Sequence, residues 1–152
     1  GERIPTLHEM LAEIAPRATV FIEMKASAAV PSVAKTVKYF AEKEHLGYGK
    51  MPVISFHASH LKAIKKLNPL ILTGITPPER KSALTNALIR RAVKDGMWSV
   101  NPNVRHIRKT FVSAAQDAGL YVVTWTANTA ADIRRAKAAG VNGIISDYPD
   151  RL

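Results

Sequence analysis

Short apolar runs alternate with amphipathic stretches from one end of the chain to the other. Runs rich in branched and aromatic residues fall at about 18–24, 51–57, 70–75, 97–101, 121–127 and 142–147. Near-continuous apolar character over so few residues is what a strand buried on both faces of a parallel sheet requires. Between the runs, apolar residues recur at helical spacing, as in Val33, Val37 and Phe40, in Leu84, Ala87 and Leu88, and in Val104, Ile107, Phe111, Ala114 and Ala118. The pattern predicts six strands joined by helices, preceded by a helix at about 7–14 that has no strand before it. The punctuation agrees. Thr6 and Glu9 have capping-box spacing, Ser32 and Ser59 are N-cap candidates, and Gly96, Gly119 and Gly140 stand just past predicted helix ends.

Repeated strand–helix units build either an open doubly wound sheet or a (β/α)8 barrel. A barrel takes about 250 residues, and this chain has 152. The expected fold is therefore α/β of the TIM-barrel type but incomplete, with about six parallel strands and the two N-terminal strand–helix units missing. No linker or shift of composition divides residues 1–152, which read as the C-terminal portion of a single barrel domain.

Composition narrows the function classes. At 47% hydrophobic and 22% charged residues the chain is too apolar for a disordered tail. Its apolar runs fall far short of the roughly 18–20 residues of a membrane-spanning helix. The opening Gly1-Glu2-Arg3-Ile4-Pro5 lacks the order of a signal peptide, and cytoplasm and periplasm both stay open. Absence of cysteine removes disulfides, thiolate metal sites and cysteine nucleophiles. The net charge of +10 invites an anionic partner. Its cations are spread over several helices, in Lys62, Lys65 and Lys66, in Arg90 and Arg91, in Arg105, Arg108 and Lys109, and in Arg134, Arg135 and Lys137. Most sit opposite apolar stripes with no aromatic interleaving, which weighs against a nucleic-acid role.

In parallel sheets chemistry gathers where strands end and loops begin. The first strand ends Phe21-Ile22-Glu23-Met24-Lys25, and the two-residue period of a strand puts Glu23 and Lys25 on one face. A carboxylate beside an ammonium suits metal ligation and phosphate neutralisation, or else a salt bridge at the sheet rim. Ser55, His57 and His60 follow the second strand, as ligands and proton shuttles or as an ordinary helix start. Trp125, in Thr124-Trp125-Thr126-Ala127-Asn128, walls a pocket or fills the core, and Asp147 is catalytic or caps a turn. No phosphate loop or nucleophile-elbow motif is present.

Taken in series, Arg3-Ile4-Pro5-Thr6-Leu7, Phe21-Ile22-Glu23-Met24-Lys25, Val53-Ile54-Ser55-Phe56, Val123-Thr124-Trp125-Thr126-Ala127-Asn128 and the stretch from Gly140 to Asp150 resemble the C-terminal two-thirds of a glycerophosphodiester phosphodiesterase. Asn142 in place of the usual aspartate and Ser146 in place of threonine are mild departures. The resemblance implies a (β/α)8 barrel that hydrolyses a glycerophosphodiester to glycerol 3-phosphate and an alcohol, using a divalent cation (calcium or magnesium) and a histidine pair. In that family the His-Arg-Gly, Glu-x-Asp and His-Asp segments all precede the Ile-Pro-Thr-Leu segment with which this chain opens. No catalytic residue is therefore assigned here, and the histidine pair is expected upstream of Gly1. What the resemblance carries over is Glu23 as a metal ligand, Lys25 as a phosphate-side cation, and Trp125 and Phe56 as pocket walls. His57 and His60 do not match the family's histidines.

The isolated chain is accordingly expected to be inactive, with a small-molecule glycerophosphodiester as its substrate class and the alcohol undetermined. Open sheet edges would recruit an N-terminal fragment or a homo-oligomer. The competing reading is a non-catalytic basic module that binds phosphodiester headgroups or a partner chain.

Overall fold

A computed structural model describes residues 1 and 3–152 and divides the chain into two units, residues 1–73 and 74–152. Glu2 lies outside the described residues. The first unit opens with α1 (Leu7–Ile14), whose capping box forms as predicted. The Glu9 amide donates to the Thr6 hydroxyl, and the Glu9 carboxylate accepts from the Thr6 backbone amide at 2.8 Å. Then come β1 (Ile22–Glu23), α2 (Val30–Glu42), β2 (Val53–Ser55) and α3 (Ala58–Leu67). β1 and β2 are parallel, with Ile22 opposite Val53 and Glu23 opposite Ile54. Helix α2 packs between α1 and α3. Leu11, Val37, Met51, Val53, Leu61 and Ile64 form a core with no measurable exposure. Truncating any one of the leucines or isoleucines to alanine would cost about 2–5 kcal/mol.

The second unit takes up β3 (Thr73–Ile75) from Gly74 onward and continues with α4 (Asn86–Lys94), β4 (Ser99–Val100), α5 (Lys109–Asp117), β5 (Tyr121–Thr124), α6 (Ala130–Ala139) and β6 (Gly143–Ile144). Each strand from β3 to β6 pairs in parallel with the next, as the alternation of elements predicts. Gly143 lies opposite Val123, and a Cβ there would stand 3.3 Å from a Val123 methyl. Gly140 ends α6 in the left-handed region at φ +78°, where glycine carries no steric penalty.

All six predicted strands form, but each is shorter than its apolar run. Proline explains two of the limits. The Val20 and Ile22 amides donate to the Lys50 and Pro52 carbonyls, but Pro52 has no amide with which to continue the ladder. Pro102 stops β4 in the same way one residue after Asn101.

Three helix details differ from the sequence reading. Ser32 and Ser59 lie inside α2 and α3, whose N-caps are Ala29 and His57. A 3₁₀ turn at Ser27–Ala29 runs straight into α2 and removes the need for a side-chain cap, and the Ser32 hydroxyl donates instead to the Ala29 carbonyl. In α4 the buried residues are Ile89 and Ala92 rather than Ala87 and Leu88. Val104 and Ile107 are buried in the turn ahead of α5, so the buried stripe of that helix is Phe111, Val112 and Ala115.

Candidate functional site

The end of β1 places Glu23 and Lys25 on one side, as the strand period predicts, with Lys25 Nζ 3.6 Å from Glu23 Oε2. The Lys25 side chain is 80% exposed and that of Glu23 36%. Behind them the fully buried Ser55 ties two chain segments together. Its hydroxyl donates to the Met24 carbonyl at 2.6 Å and accepts the His57 amide at 3.1 Å. The carbonyl it holds belongs to the residue between Glu23 and Lys25, so Ser55 fixes the backbone from which both charges project. His60 Nδ1 approaches the same hydroxyl at 3.5 Å, and the His57 and His60 rings lie 4.8 Å apart at the start of α3. Phe56 is 45% exposed at the end of β2.

In the second unit Trp125 is half-buried just beyond β5. Its indole N–H donates to the Asn101 carbonyl at 2.7 Å, and its carbonyl accepts the Val104 amide at 2.6 Å. With ring and backbone both held, Trp125 walls a cavity of about 310 Å³ whose polar lining includes Glu79, Asn103, Arg105, Asn128 and Asp132. Of these the sequence places only Asn128 in the Trp125 segment, and Arg105 enters it only as one of the scattered cations. Asn103, almost fully buried, donates from Nδ2 to Glu79 at 2.8 Å and accepts the Arg105 amide at 2.9 Å. Asp132 accepts from the Thr129 hydroxyl at 2.7 Å and from Arg135 at 3.1 Å. At the foot of this arrangement Asn101 is fully buried. Its Oδ1 accepts from Ser99, and its Nδ2 has no hydrogen-bond partner.

The Asp147 side chain bonds across to another loop rather than to the turn that follows it. Its carboxylate accepts from Asn128 Nδ2 at 2.7 Å while its amide donates to Asn128 Oδ1 at 3.0 Å, a reciprocal clasp between the loops after β5 and β6.

A hard divalent cation takes about six or more oxygen ligands, and proteins supply several of them as carboxylates. Glu23 brings one carboxylate, already beside an ammonium. Among the described residues no three His, Asp or Glu side chains gather into a cation-binding group. The residues described do not by themselves make a calcium or magnesium site.

Comparison with known proteins places this geometry. The model of the glycerophosphoryl diester phosphodiesterase family matches residues 1–151. The chain belongs to that family. Among its curated relatives is a glycerophosphodiester phosphodiesterase of Bacillus subtilis, 25% identical over 156 residues that cover 99% of this chain and 53% of the relative. Another, from Caldanaerobacter subterraneus, is 30% identical over 155 residues, covering all of this chain and 61% of the relative. The chain thus spans a little over half the length of the phosphodiesterases it matches. A solved Oleispira antarctica phosphodiesterase, in complex with its product sn-glycerol-3-phosphate, superposes with a TM-score of 0.76 at 21% identity, over 97% of this chain and 59% of that one. The parallel strands and intervening helices are those of the TIM-barrel phosphodiesterases. Among the described residues no helix is long and apolar enough to cross a membrane.

Proposed function

We propose that this chain is the C-terminal part of a metal-dependent phosphoric diester hydrolase that cleaves glycerophosphodiesters to glycerol 3-phosphate and an alcohol. The observation that carries this reading is the pair of strand-end constellations in a chain matched throughout by the family. In one, Glu23 and Lys25 stand on a backbone fixed by Ser55, and in the other a fixed Trp125 walls a polar cavity. In this reading Glu23 contributes one carboxylate to a divalent-cation site whose other ligands come from elsewhere. Lys25 offsets phosphate charge, and Phe56 and Trp125 are pocket walls, each within its own unit. An exposed ammonium such as that of Lys25 offsets phosphate charge without a proton having to move. Acid–base catalysis of phosphoester cleavage needs a group that takes a proton and one that returns it. No role of that kind falls to His57 or His60.

The isolated chain is proposed to bind without turning over. Titration with sn-glycerol 3-phosphate, followed by NMR, should shift the Lys25 amide and the Trp125 indole N–H while leaving that of Trp98 in place. Shifts at neither residue would overturn the reading. Release of glycerol 3-phosphate from glycerophosphocholine with calcium or magnesium should stay at background. Turnover abolished by Glu23→Ala would show that the chain carries its own acid–base groups.

The open edge of β6 supports a partner. Gly143, Ile144 and Ile145 are all half-exposed, whereas Ser99 and Val100 of β4 are fully buried. A sheet edge beside partly exposed isoleucines recruits another chain. The partner proposed is an N-terminal barrel fragment or a second copy of this chain. Light scattering on a size-exclusion column should give a mass above 16.6 kDa, and a cooperatively melting monomer would count against it.

A further inference from the structure

We propose that the lysine-flanked leucine turn at the end of α3 docks the protein on an anionic lipid bilayer. Leu67 and Leu70 are 58% and 60% exposed, three residues apart, on a turn that the structure holds in one shape. The Asn68 amide donates to the Ile64 carbonyl at 2.9 Å, and Asn68 Oδ1 accepts the Leu70 amide at 3.0 Å. Asn68 Nδ2 donates to the Tyr48 hydroxyl at 2.8 Å, and Lys65 Nζ caps the Pro69 carbonyl at 3.0 Å. Two large apolar side chains are thus presented to solvent by a turn that is held by its own hydrogen bonds. Such a turn enters an interface with fewer backbone groups left to pair than an open loop.

The surroundings select the partner. Leu67 forms one wall of a groove of about 290 Å³ shared with Pro31, Ala34, Lys35, Lys38 and Asn68. Lys35 and Lys38 line it and are exposed, and Lys66, exposed as well, directly precedes Leu67. Glu42 is the sole carboxylate of α2 and α3, and it is engaged by the Tyr48 hydroxyl at 2.6 Å and by Lys38 at 4.0 Å. A cationic rim around projecting leucines complements an anionic lipid surface. The aliphatic lysine stems lie along the apolar boundary while their ammonium groups reach the headgroups. A nucleic acid would use the cations but has no use for the leucines. The proposal does not rest on hydrolysis, since its test reads binding to vesicles and not turnover.

The experiment is co-sedimentation of the whole chain with vesicles of phosphatidylglycerol and phosphatidylcholine, set beside pure phosphatidylcholine. Binding should need the anionic lipid and weaken with salt. Each lysine near such a surface is worth about fivefold in affinity, so Lys35→Gln with Lys66→Gln should weaken binding about 25-fold. Leu67→Ser with Leu70→Ser should weaken it at least about tenfold. These side chains are exposed, and circular dichroism should show unchanged folding. As a second measurement, Leu70→Trp should give an indole emission that shifts to the blue when anionic vesicles are added. The same changes made on α4, as Val93→Ser with Lys94→Gln, should leave binding unaltered. Absence of binding to the anionic vesicles would overturn the proposal. So would lysine-dependent binding that ignores the leucine pair, which would mark simple attraction to a polyanion.

Discussion

At the end of β1, a carboxylate and an ammonium stand 3.6 Å apart with the lysine four-fifths in water. Beyond β4 and β5, Asn103 joins Glu79 to the Arg105 backbone from a buried position, and Trp125 is pinned through its ring nitrogen. The first pair is screened and contributes little to stability. The second set is neutral or charge-assisted hydrogen bonding made from the nearly buried Asn103 and the half-buried Trp125, less screened by solvent than the first pair. The difference separates two jobs. Exposed charges stand on a backbone held by Ser55, while the cavity wall is held in place by polar contacts.

If that contrast holds, the largest loss of stability among these polar positions should come from the buried amide. Asn103→Ala removes the donor to Glu79 and the acceptor of the Arg105 amide, and should cost about 2–3 kcal/mol. Urea denaturation would register this as a midpoint lowered by about 1 M or more. A change near zero would mean that water replaces the amide and that the pocket is not locked. Ser55→Ala comes next. It frees the Met24 carbonyl and the His57 amide, for about 1–2 kcal/mol, and should speed hydrogen exchange at His57.

Much of this molecule is legible in the order of its residues. The apolar runs mark every strand because a strand covered on both faces leaves few places for a polar side chain. The Thr6 and Glu9 pair announces α1, and the glycines close the helices they follow. What escapes the pattern is set by backbone chemistry at single positions. Pro52 and Pro102 shorten ladders that hydrophobicity alone would extend, and a 3₁₀ turn replaces the serine cap of α2. The site divides the same way. Glu23, Lys25 and Trp125 lie at strand ends, where parallel sheets concentrate chemistry, and their positions follow from strand period. Glu79, Asn103, Arg105 and Asp132 come from separate loops and helix starts that only tertiary structure brings around one cavity. Two local signs were available: amides on either side of Pro102 in an otherwise apolar region, and the cap spacing of Thr129 and Asp132.

The exposed pair should behave oppositely to the buried one. Glu23→Gln is expected to change stability by less than about 0.5 kcal/mol, because the ion pair it removes is open to solvent. A thermal melt within about 2 °C of the parent would bear this out. A fall comparable to that of Asn103→Ala would make Glu23 and Lys25 a structural bridge and erase the contrast between the two sites.

The smallest effect should appear on acidification, and only in the first unit. The Thr6 backbone amide, then the Thr6 hydroxyl and Arg3, hold the Glu9 carboxyl below its ordinary value of 4.5. A carboxyl whose folded value is depressed favours the folded helix end fully above its unfolded value. That contribution is lost as pH falls from about 4.5 through the lower folded value. The second unit offers a control in α4, whose N-cap is the Thr85 hydroxyl accepting the Leu88 amide at 3.2 Å, a cap with nothing to titrate. Hydrogen exchange between pH 6 and pH 3, corrected for intrinsic rates, should therefore show the first turn of α1 loosening while that of α4 stays protected. Equal loss in both helices would trace the change to global acid unfolding rather than to Glu9. Loss in α4 first would reverse the division between charge-held and neutrally held structure on which the comparison of the two units rests.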